Sequence, residues 1–464
     1  MTRSAAARWW LLAGLAVFAV SAARVVTTYL VGFPGELWQL DLEVYRDGAA
    51  SLVGGRPVYE WLTGVPLFLP FTYPPFAALV MTPLLLVPFS VAGWLWAVLQ
   101  VGLLWVCAGV AFRPFLDRWG ERRGLVQGLV AAVLVQLQPV QDGIRFGQVN
   151  AVVVTLCLVD LTRRSPGWWP RGSLIGLAAA VKLTPATFWV HFAVARRWGQ
   201  LAASVGAAAV VTLFTAAVSP SSSAAYWTDA LLDPARLGPN GNVSNQSIRG
   251  ALIRVGPSSV AGQTVLWLAL AGVVAVAGFW LSARLDRLGE PVAMVAAVGM
   301  VAVLVSPVSW IHHWQWGVVV IGALLGDGRG RRRVGTALAA TVVLALKLPW
   351  WGGAWPGHGP LVTLAGRLCE QAYTVFAAGA LVALWWVFVA SKEGAQDAGV
   401  QKGVATPAAW SSVTAESTPH TPPPTRRTVA SRIRRSSHRP TTAATAETSS
   451  SAAQEPTNTE TGSR

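Results

Sequence analysis

The sequence predicts an all-α polytopic membrane protein, and three features carry that expectation. Of 464 residues, 53% are apolar and only 12% are charged. Mean hydropathy is +0.48, too high for a soluble domain of this size. The apolar residues also fall in long runs separated by short breaks rich in Arg or in Pro and Gly, which is the pattern of membrane spans and their connections. Soluble-enzyme classes are excluded on these grounds. The net charge of +15 does not indicate a nucleic-acid partner, because most arginines punctuate apolar runs instead of forming one basic face.

Taken in order, the first run spans Arg8 to about Val31. It has the basic start and small residues of a signal peptide but reads here as a retained first span. Further runs follow at Phe76–Phe112, Gly124–Pro139, Val149–Leu161, Gly172–Val181, Thr184–Ala195, Leu201–Val218, Val260–Ala283, Pro291–Val305, Trp310–Leu325, Val334–Leu348 and Leu361–Ala390. The expected count is therefore about 12 transmembrane helices. Several runs fall short of the roughly 20 residues of a straight span, and Phe76–Phe112 is long enough for one span and a half-span.

Arginine clusters at Arg113–Arg123, Arg163–Arg171, Arg196–Arg197, Arg284–Arg287 and Arg329–Arg333 occupy alternate connections and mark them as cytoplasmic, with both termini inside. Two long outer loops, 32–75 and 219–259, remain on the opposite side. Residues 1–390 form the membrane-embedded unit. Ser391 to Arg464 turn to Thr, Ser, Ala, Pro and Arg, and are expected to form a disordered cytoplasmic tail, because so few apolar residues cannot offset the entropy of ordering. Cys107, Cys157 and Cys369 lie far apart inside apolar runs, so they read as packing residues, not as a disulfide or metal framework.

The first outer loop concentrates acidic residues (Glu36, Asp41, Glu43, Asp47 and Glu60) beside only Arg46 and Arg56. From Asp41 to Gly54, apolar Leu42, Tyr45, Ala49 and Leu52 recur at helical spacing, which predicts an amphipathic helix on the membrane surface with Asp41 as its N-cap. A cap with no further role is the plain reading of Asp41 from this helix alone.

The strings Asp41-Leu42-Glu43-Val44-Tyr45-Arg46-Asp47, Tyr73-Pro74-Pro75, Gly147-Gln148-Val149-Asn150, Lys182-Leu183-Thr184-Pro185, Asn245-Gln246-Ser247-Ile248-Arg249 and Ser306-Pro307-Val308-Ser309-Trp310-Ile311-His312-His313 occur in that order. Together they resemble glycosyltransferase family 87, the polyprenyl-phosphate-mannose-dependent mannosyltransferases of actinobacteria, from about Asp41 to Trp316. The resemblance implies a GT-C membrane fold in the bacterial plasma membrane, with its active site on the outer, periplasmic side. It implies a polyprenyl-phosphate-mannose donor, a mannosylated lipid acceptor (a phosphatidylinositol mannoside, lipomannan or lipoarabinomannan) and α-1,2 linkage. A related arabinosyltransferase and a lipid-linked sugar transporter or flippase are the alternatives.

For such a reaction Asp41 takes the role of catalytic base by resemblance, at the mouth of the membrane cavity. Helix N–H groups would lower its pKa and burial would raise it, a balance that the residue order leaves open. Lys182, a lone cation between two apolar segments, is a candidate for the phosphate, or else it snorkels to the interface. Arg249, behind Asn245 or Ser247 as cap, could fork a phosphate or meet lipid headgroups, and Arg145 is a further candidate. Gln148, Asn150, Asn245, Gln246, Tyr73, Glu43 and Arg46 complete the substrate-binding set, with turn or surface roles as their bland reading. His312 and His313 are expected in the first turn of a span capped by Ser309, where N–H groups favour an anion. Adjacent histidines make a poor metal pair, and a lipid monophosphate has little need of a bridging ion, so no metal and no cofactor are expected.

Overall fold

The computed structural model describes residues 3–32, 38–64, 67–165, 167–352 and 359–390. The expected tail, Ser391 to Arg464, lies outside the described residues, as does Glu36. Every regular element among the described residues is helical, apart from two isolated bridges.

Helix α1 (Arg3–Leu30) leads to α2 (Leu40–Val53) and the short α3 (Pro75–Val80), followed by α4 (Phe89–Ala111) and a single turn, α5 (Arg113–Leu116). Next come α6 (Arg123–Leu134), α7 (Gln138–Phe146), α8 (Asn150–Thr162), α9 (Ser173–Val181), α10 (Thr187–Val194) and α11 (Trp198–Val218). The second long loop holds α12 (Pro220–Ala225) and α13 (Ile248–Val255). The chain closes with α14 (Val260–Arg287), α15 (Pro291–Val305), α16 (Trp316–Leu325), α17 (Arg331–Ala345), α18 (Pro360–Glu370) and α19 (Ala372–Trp385).

Five helical stretches are long and apolar enough to cross a membrane: Ala5–Leu30, Phe89–Ala111, Trp198–Val218, Val260–Arg287 and Ala372–Ala390. A sixth arises if Arg113–Leu134 and Gln138–Phe146, bent by 77°, count as one broken span. The other apolar runs give shorter helices. Phe76–Phe112 divides as its length suggested, because Pro83 and Pro88 interrupt it before α4. Leu361–Ala390 divides as well, at Gln371.

The apolar surface is turned inside out relative to a soluble fold. Val210, Leu213 and Phe214 on α11, and Val265, Val273 and Val276 on α14, are exposed, which is stable only against lipid. The centre is formed instead by α15, buried at every position from Ala293 to Leu304, and by α16, buried from Trp316 to Leu324. Small residues allow close crossings: a Cβ at Gly14 of α1 would collide with the Gly124 carbonyl of α6.

The arginine-bearing connections gather at one end of the bundle. Arg113, Arg163, Arg171, Arg197 and Arg333 line a common cavity there. Both ends of the described chain reach the same face, since Arg122 lies over Trp10, and Arg332 over Trp386. The connection that carries α2 sits at the other end, where Arg46 donates to the Val87 carbonyl (2.9 Å) just ahead of α4.

Candidate active site

Helix α2 begins two residues earlier than the sequence suggested. Its N-cap is Gln39, in the left-handed region at φ 53°, and Asp41 is the second helical residue, so the expectation of an Asp41 cap is corrected. The unusual start is held by tertiary contact: Gln39 is fully buried and its amide donates to the Ile144 carbonyl of α7 (2.6 Å). Asp41 is thereby free of capping and is turned toward the α7–α8 junction.

That junction is built by a left-handed glycine. Gly147, at φ 71°, ends α7 and lets Gln148 fold back against α2; a Cβ there would lie 2.6 Å from Gln39 Oε1 and 2.7 Å from Leu42 Cβ. Gln148 Oε1 accepts from Tyr45 Oη (3.2 Å) and from Asn150 Nδ2 (3.1 Å), which leaves the Gln148 amide N–H₂ to donate to the Asp41 carboxylate. Asn150 also donates to the His312 carbonyl (3.1 Å), and its Oδ1 accepts from Lys182 Nζ (2.8 Å).

Lys182 terminates α9 in an extended conformation. It is only 8% exposed and its ammonium lies 5.4 Å from the centroid of the Tyr73 ring, so the snorkelling alternative is excluded. Tyr73 Oη bonds to Tyr45 Oη (3.0 Å), which closes a network running Asp41–Gln148–Asn150–Lys182–Tyr73–Tyr45. The side chains come from α2, the loop before α3, the α7–α8 turn and the end of α9, four segments distant in sequence.

Asp41 is half-buried, its carboxyl surrounded by protein. Burial is the largest influence and raises the carboxyl from 3.8 to about 6, against the Gln148 hydrogen bond and the Lys182 charge, which lower it. The competition between helix N-terminus and burial is thus decided by burial. Burial, followed by the charge of Asp47 one turn on, also raises the Glu43 carboxyl. Glu43 is two positions from Asp41 and so projects from a different side of the helix.

His312 and His313 lie beside this network, but not as expected. They belong to a 3-10 turn, Ile311–Gln315, whose N-cap is Trp310; Ser309 does not cap it and instead accepts, through its carbonyl, from the Gln246 backbone N–H (2.8 Å). The imidazole rings are 4.8 Å apart. His312 Nε2 and His313 Nδ1 are buried without a hydrogen-bond partner, and such atoms are rare unless a ligand or water completes them. Among the described residues no cluster of three or more His, Cys, Asp or Glu side chains is arranged to hold a metal ion.

Other candidates are used for construction. Arg46 serves the Val87 carbonyl and the face of Phe89 (5.8 Å). Asn245 Oδ1 accepts from the N–H groups of Ser247 (3.2 Å) and Ser309 (2.9 Å), and Gln246 clamps the Glu370 carbonyl (2.7 Å) and the Tyr373 N–H (3.0 Å). Ser247, not Asn245, caps α13. Arg249 lies over Trp267 (5.5 Å) and Arg145 over Phe146 (4.7 Å). Sequence reasoning placed Tyr45 only on an apolar face. The signal it passed over is that a buried tyrosine needs a partner for its hydroxyl.

The model of glycosyltransferase family 87 matches residues 71–307. A Mycobacterium tuberculosis polyprenol-phosphate-mannose-dependent alpha-(1-2)-phosphatidylinositol mannoside mannosyltransferase is 34% identical over 74% of this chain and 81% of its own length. A Mycolicibacterium smegmatis polyprenol-phosphate-mannose-dependent alpha-(1-2)-phosphatidylinositol pentamannoside mannosyltransferase is 33% identical over 80% of this chain and 93% of its own. No solved structure matches significantly. With a half-buried carboxylate and a buried ammonium set in one polar network, and with similarity extending over most of its length, the chain belongs to glycosyltransferase family 87 and is a membrane glycosyltransferase.

Proposed function

We propose that the protein transfers mannose from polyprenyl-phosphate-mannose to a phosphatidylinositol mannoside, forming an α-1,2 linkage with inversion. The observation that carries this reading is the Asp41–Gln148–Asn150–Lys182 network, which holds a carboxylate of raised pKa and a buried ammonium at one end of the bundle. The donor and acceptor follow from the names of the relatives.

In this mechanism the acceptor hydroxyl oxygen attacks C1 of mannose and its proton passes to Asp41. The C1–O bond to phosphate breaks, and its electron pair leaves on the polyprenyl phosphate. A carboxyl near 6 is ionised at neutral pH yet more basic than an ordinary aspartate, which suits a general base. Lys182, fixed by Asn150, meets the charge that develops on the phosphate, and the open nitrogens of His312 and His313 supply two more contacts to phosphate or sugar oxygens. No covalent sugar–enzyme intermediate is needed.

The catalytic unit is residues 1–390, in a GT-C arrangement crossing the membrane about 12 times. Five stretches of spanning length and one bent pair support part of this count, and the shorter apolar helices would supply the remaining crossings. By the positive-inside rule the arginine face is cytoplasmic, both termini are inside and Asp41 faces the periplasm of the plasma membrane.

The test is transfer in liposomes containing labelled polyprenyl-phosphate-mannose and a phosphatidylinositol mannoside. The expected result is a new, slower-migrating mannolipid, lost in Asp41→Asn at unchanged expression. Transfer by that variant at the native rate removes Asp41 as the base, and movement of the donor across the bilayer without chemical change supports the carrier alternative.

A further inference from the structure

At the end of the bundle away from Asp41, a cavity of about 550 Å³ opens between the connections that carry the arginines. That is the size of a small-molecule site. Its wall holds Arg113, Arg163, Arg164, Arg171, Arg197 and Arg333, with only Asp286 and Glu290 opposing them. Asp286 is already taken, since Arg197 grips it with two bonds of 2.7 and 3.1 Å, and Glu290 acts on Arg333. The remaining arginines come from two connections, α4–α6 and α8–α9; Arg163 pairs with Asp160 (4.0 Å) and Arg164 with Asp117 (3.9 Å) outside the wall, while Arg113 and Arg171 form no ion pair among the described residues.

We propose that this cavity binds a phosphate-bearing ligand whose anion is held by Arg113, Arg164 and Arg171. Three observations point there. Arg163 Nη1 is buried without a hydrogen-bond partner, although Nε of the same guanidinium lies 4.0 Å from the Asp160 carboxylate and Nη2 donates to the Trp169 carbonyl (2.9 Å), so the wall holds a donor that the protein does not satisfy. Arg113 is crowded by like charge: after burial, the fields of Arg164 and Arg123 act most on it, with Asp117 opposing them less, a repulsion that a bound anion would relieve. Leu161, Val292, Met294 and Phe388 line the cavity beside the arginines, an apolar wall suited to a chain attached to the phosphate. Helix α8, with Asn150 at one end and Thr162 at the other, puts about 20 Å between this cavity and the Asp41 network at 1.5 Å per residue, so the two sites are separate.

Phosphate on a lipid headgroup and free phosphate share this chemistry, and one experiment separates them. Full-length protein in detergent is titrated with dioctanoyl-phosphatidylinositol, with dioctanoylglycerol, which lacks the phosphate, and with inorganic phosphate, and binding is read by calorimetry. The anionic lipid should bind saturably, and Arg113→Gln/Arg164→Gln should weaken it by about a hundredfold, the loss of two charge-assisted contacts. Competition by inorganic phosphate makes the phosphate alone sufficient, whereas its failure to compete assigns the rest of the affinity to the apolar wall. Equal binding of dioctanoylglycerol, or an unchanged affinity in the double variant, overturns the proposal. If the double variant does not fold, Arg171→Gln, exposed and bonded to the Arg163 carbonyl, carries the same test with the same two outcomes. Binding that survives these changes but is lost in Lys182→Ala puts the ligand at the other end of the bundle and also overturns it.

Discussion

Replacing Asp41 by Asn should make the protein more stable at alkaline pH while ending transfer. The Asp41 carboxyl is raised from 3.8 to about 6 because burial penalises its charge more than Gln148 and Lys182 favour it. A group whose folded pKa lies above its unfolded value contributes stability below the unfolded pKa, and that contribution is lost as pH rises through the folded one. The window here is about pH 4 to 6. Roughly two pH units at 1.36 kcal/mol each give about 3 kcal/mol by which the ionised carboxylate burdens the fold above pH 7. Asn is nearly isosteric, keeps a partner for the Gln148 amide and carries no charge, so it escapes this cost. Thermal unfolding of the native protein and of Asp41→Asn in detergent, at pH 4.5 and pH 8, measures the effect. The variant should melt higher at pH 8, and the gap should close toward pH 4.5. A purely structural aspartate in the first turn of a helix would behave in the opposite way, its loss costing about 0.3–1 kcal/mol at pH 8. Lower stability of the variant at pH 8 would therefore refute the account of Asp41 as a strained carboxylate kept for chemistry.

The same carboxyl should give transfer an acidic limb with a midpoint near 6, the rate falling about tenfold per unit below it because only the ionised base accepts a proton. Gln148→Met removes a hydrogen bond that lowers this pKa, so a pH–rate profile should show the midpoint displaced upward, and a downward move would contradict the network. Lys182→Ala, which empties the place of a buried ammonium bonded to Asn150, should reduce transfer by about 10²-fold in initial-rate measurements, the worth of a hydrogen bond to a charged group, with donor dependence changed more than acceptor dependence. Gly147→Ala should destabilise the protein by at least ~1–2 kcal/mol, read as a lower melting temperature, since it adds a left-handed penalty to contacts at 2.6 and 2.7 Å.

Much of this arrangement is legible in the residue order, and the failures have physical causes. Lys182 stands out because an isolated charge between apolar segments is costly, and Gly147 before Gln148 is a usual way to end a helix and reverse the chain. Gln39 gives no such signal. Glutamine is not a favoured cap, and its left-handed conformation exists because the Ile144 carbonyl, about a hundred positions on, accepts its amide. Asn245 and Gln246 have a use that the residue order does not show: short polar side chains in an irregular loop are drawn to backbone groups, here those of Ser309, Glu370 and Tyr373. The apolar runs locate the helices well, yet hydropathy is blind to helices ended by tertiary contact. That is why twelve runs correspond to only five stretches of spanning length.

The distribution of polar groups weighs against the carrier reading. A carrier needs a site near the midplane that opens to either side in turn, with irregular backbone or polar groups along the route. Here α15 is continuous and buried from Ala293 to Leu304 with no charged or hydroxylic side chain, and α16 adds Val318 to Leu324 of the same character. Below the Asp41 network the polar lining dwindles to Gln100, Thr155 and Gln315 around a cavity of about 20 Å³, room for one water and not for a sugar. At the Asp41 end the helices are broken by the 77° bend before α7, the Gly147 turn, the extended residue Lys182 and the 3-10 turn of His312 and His313. Each of these breaks directs polar groups toward one end of the bundle, which a one-sided transferase requires and a two-sided carrier does not.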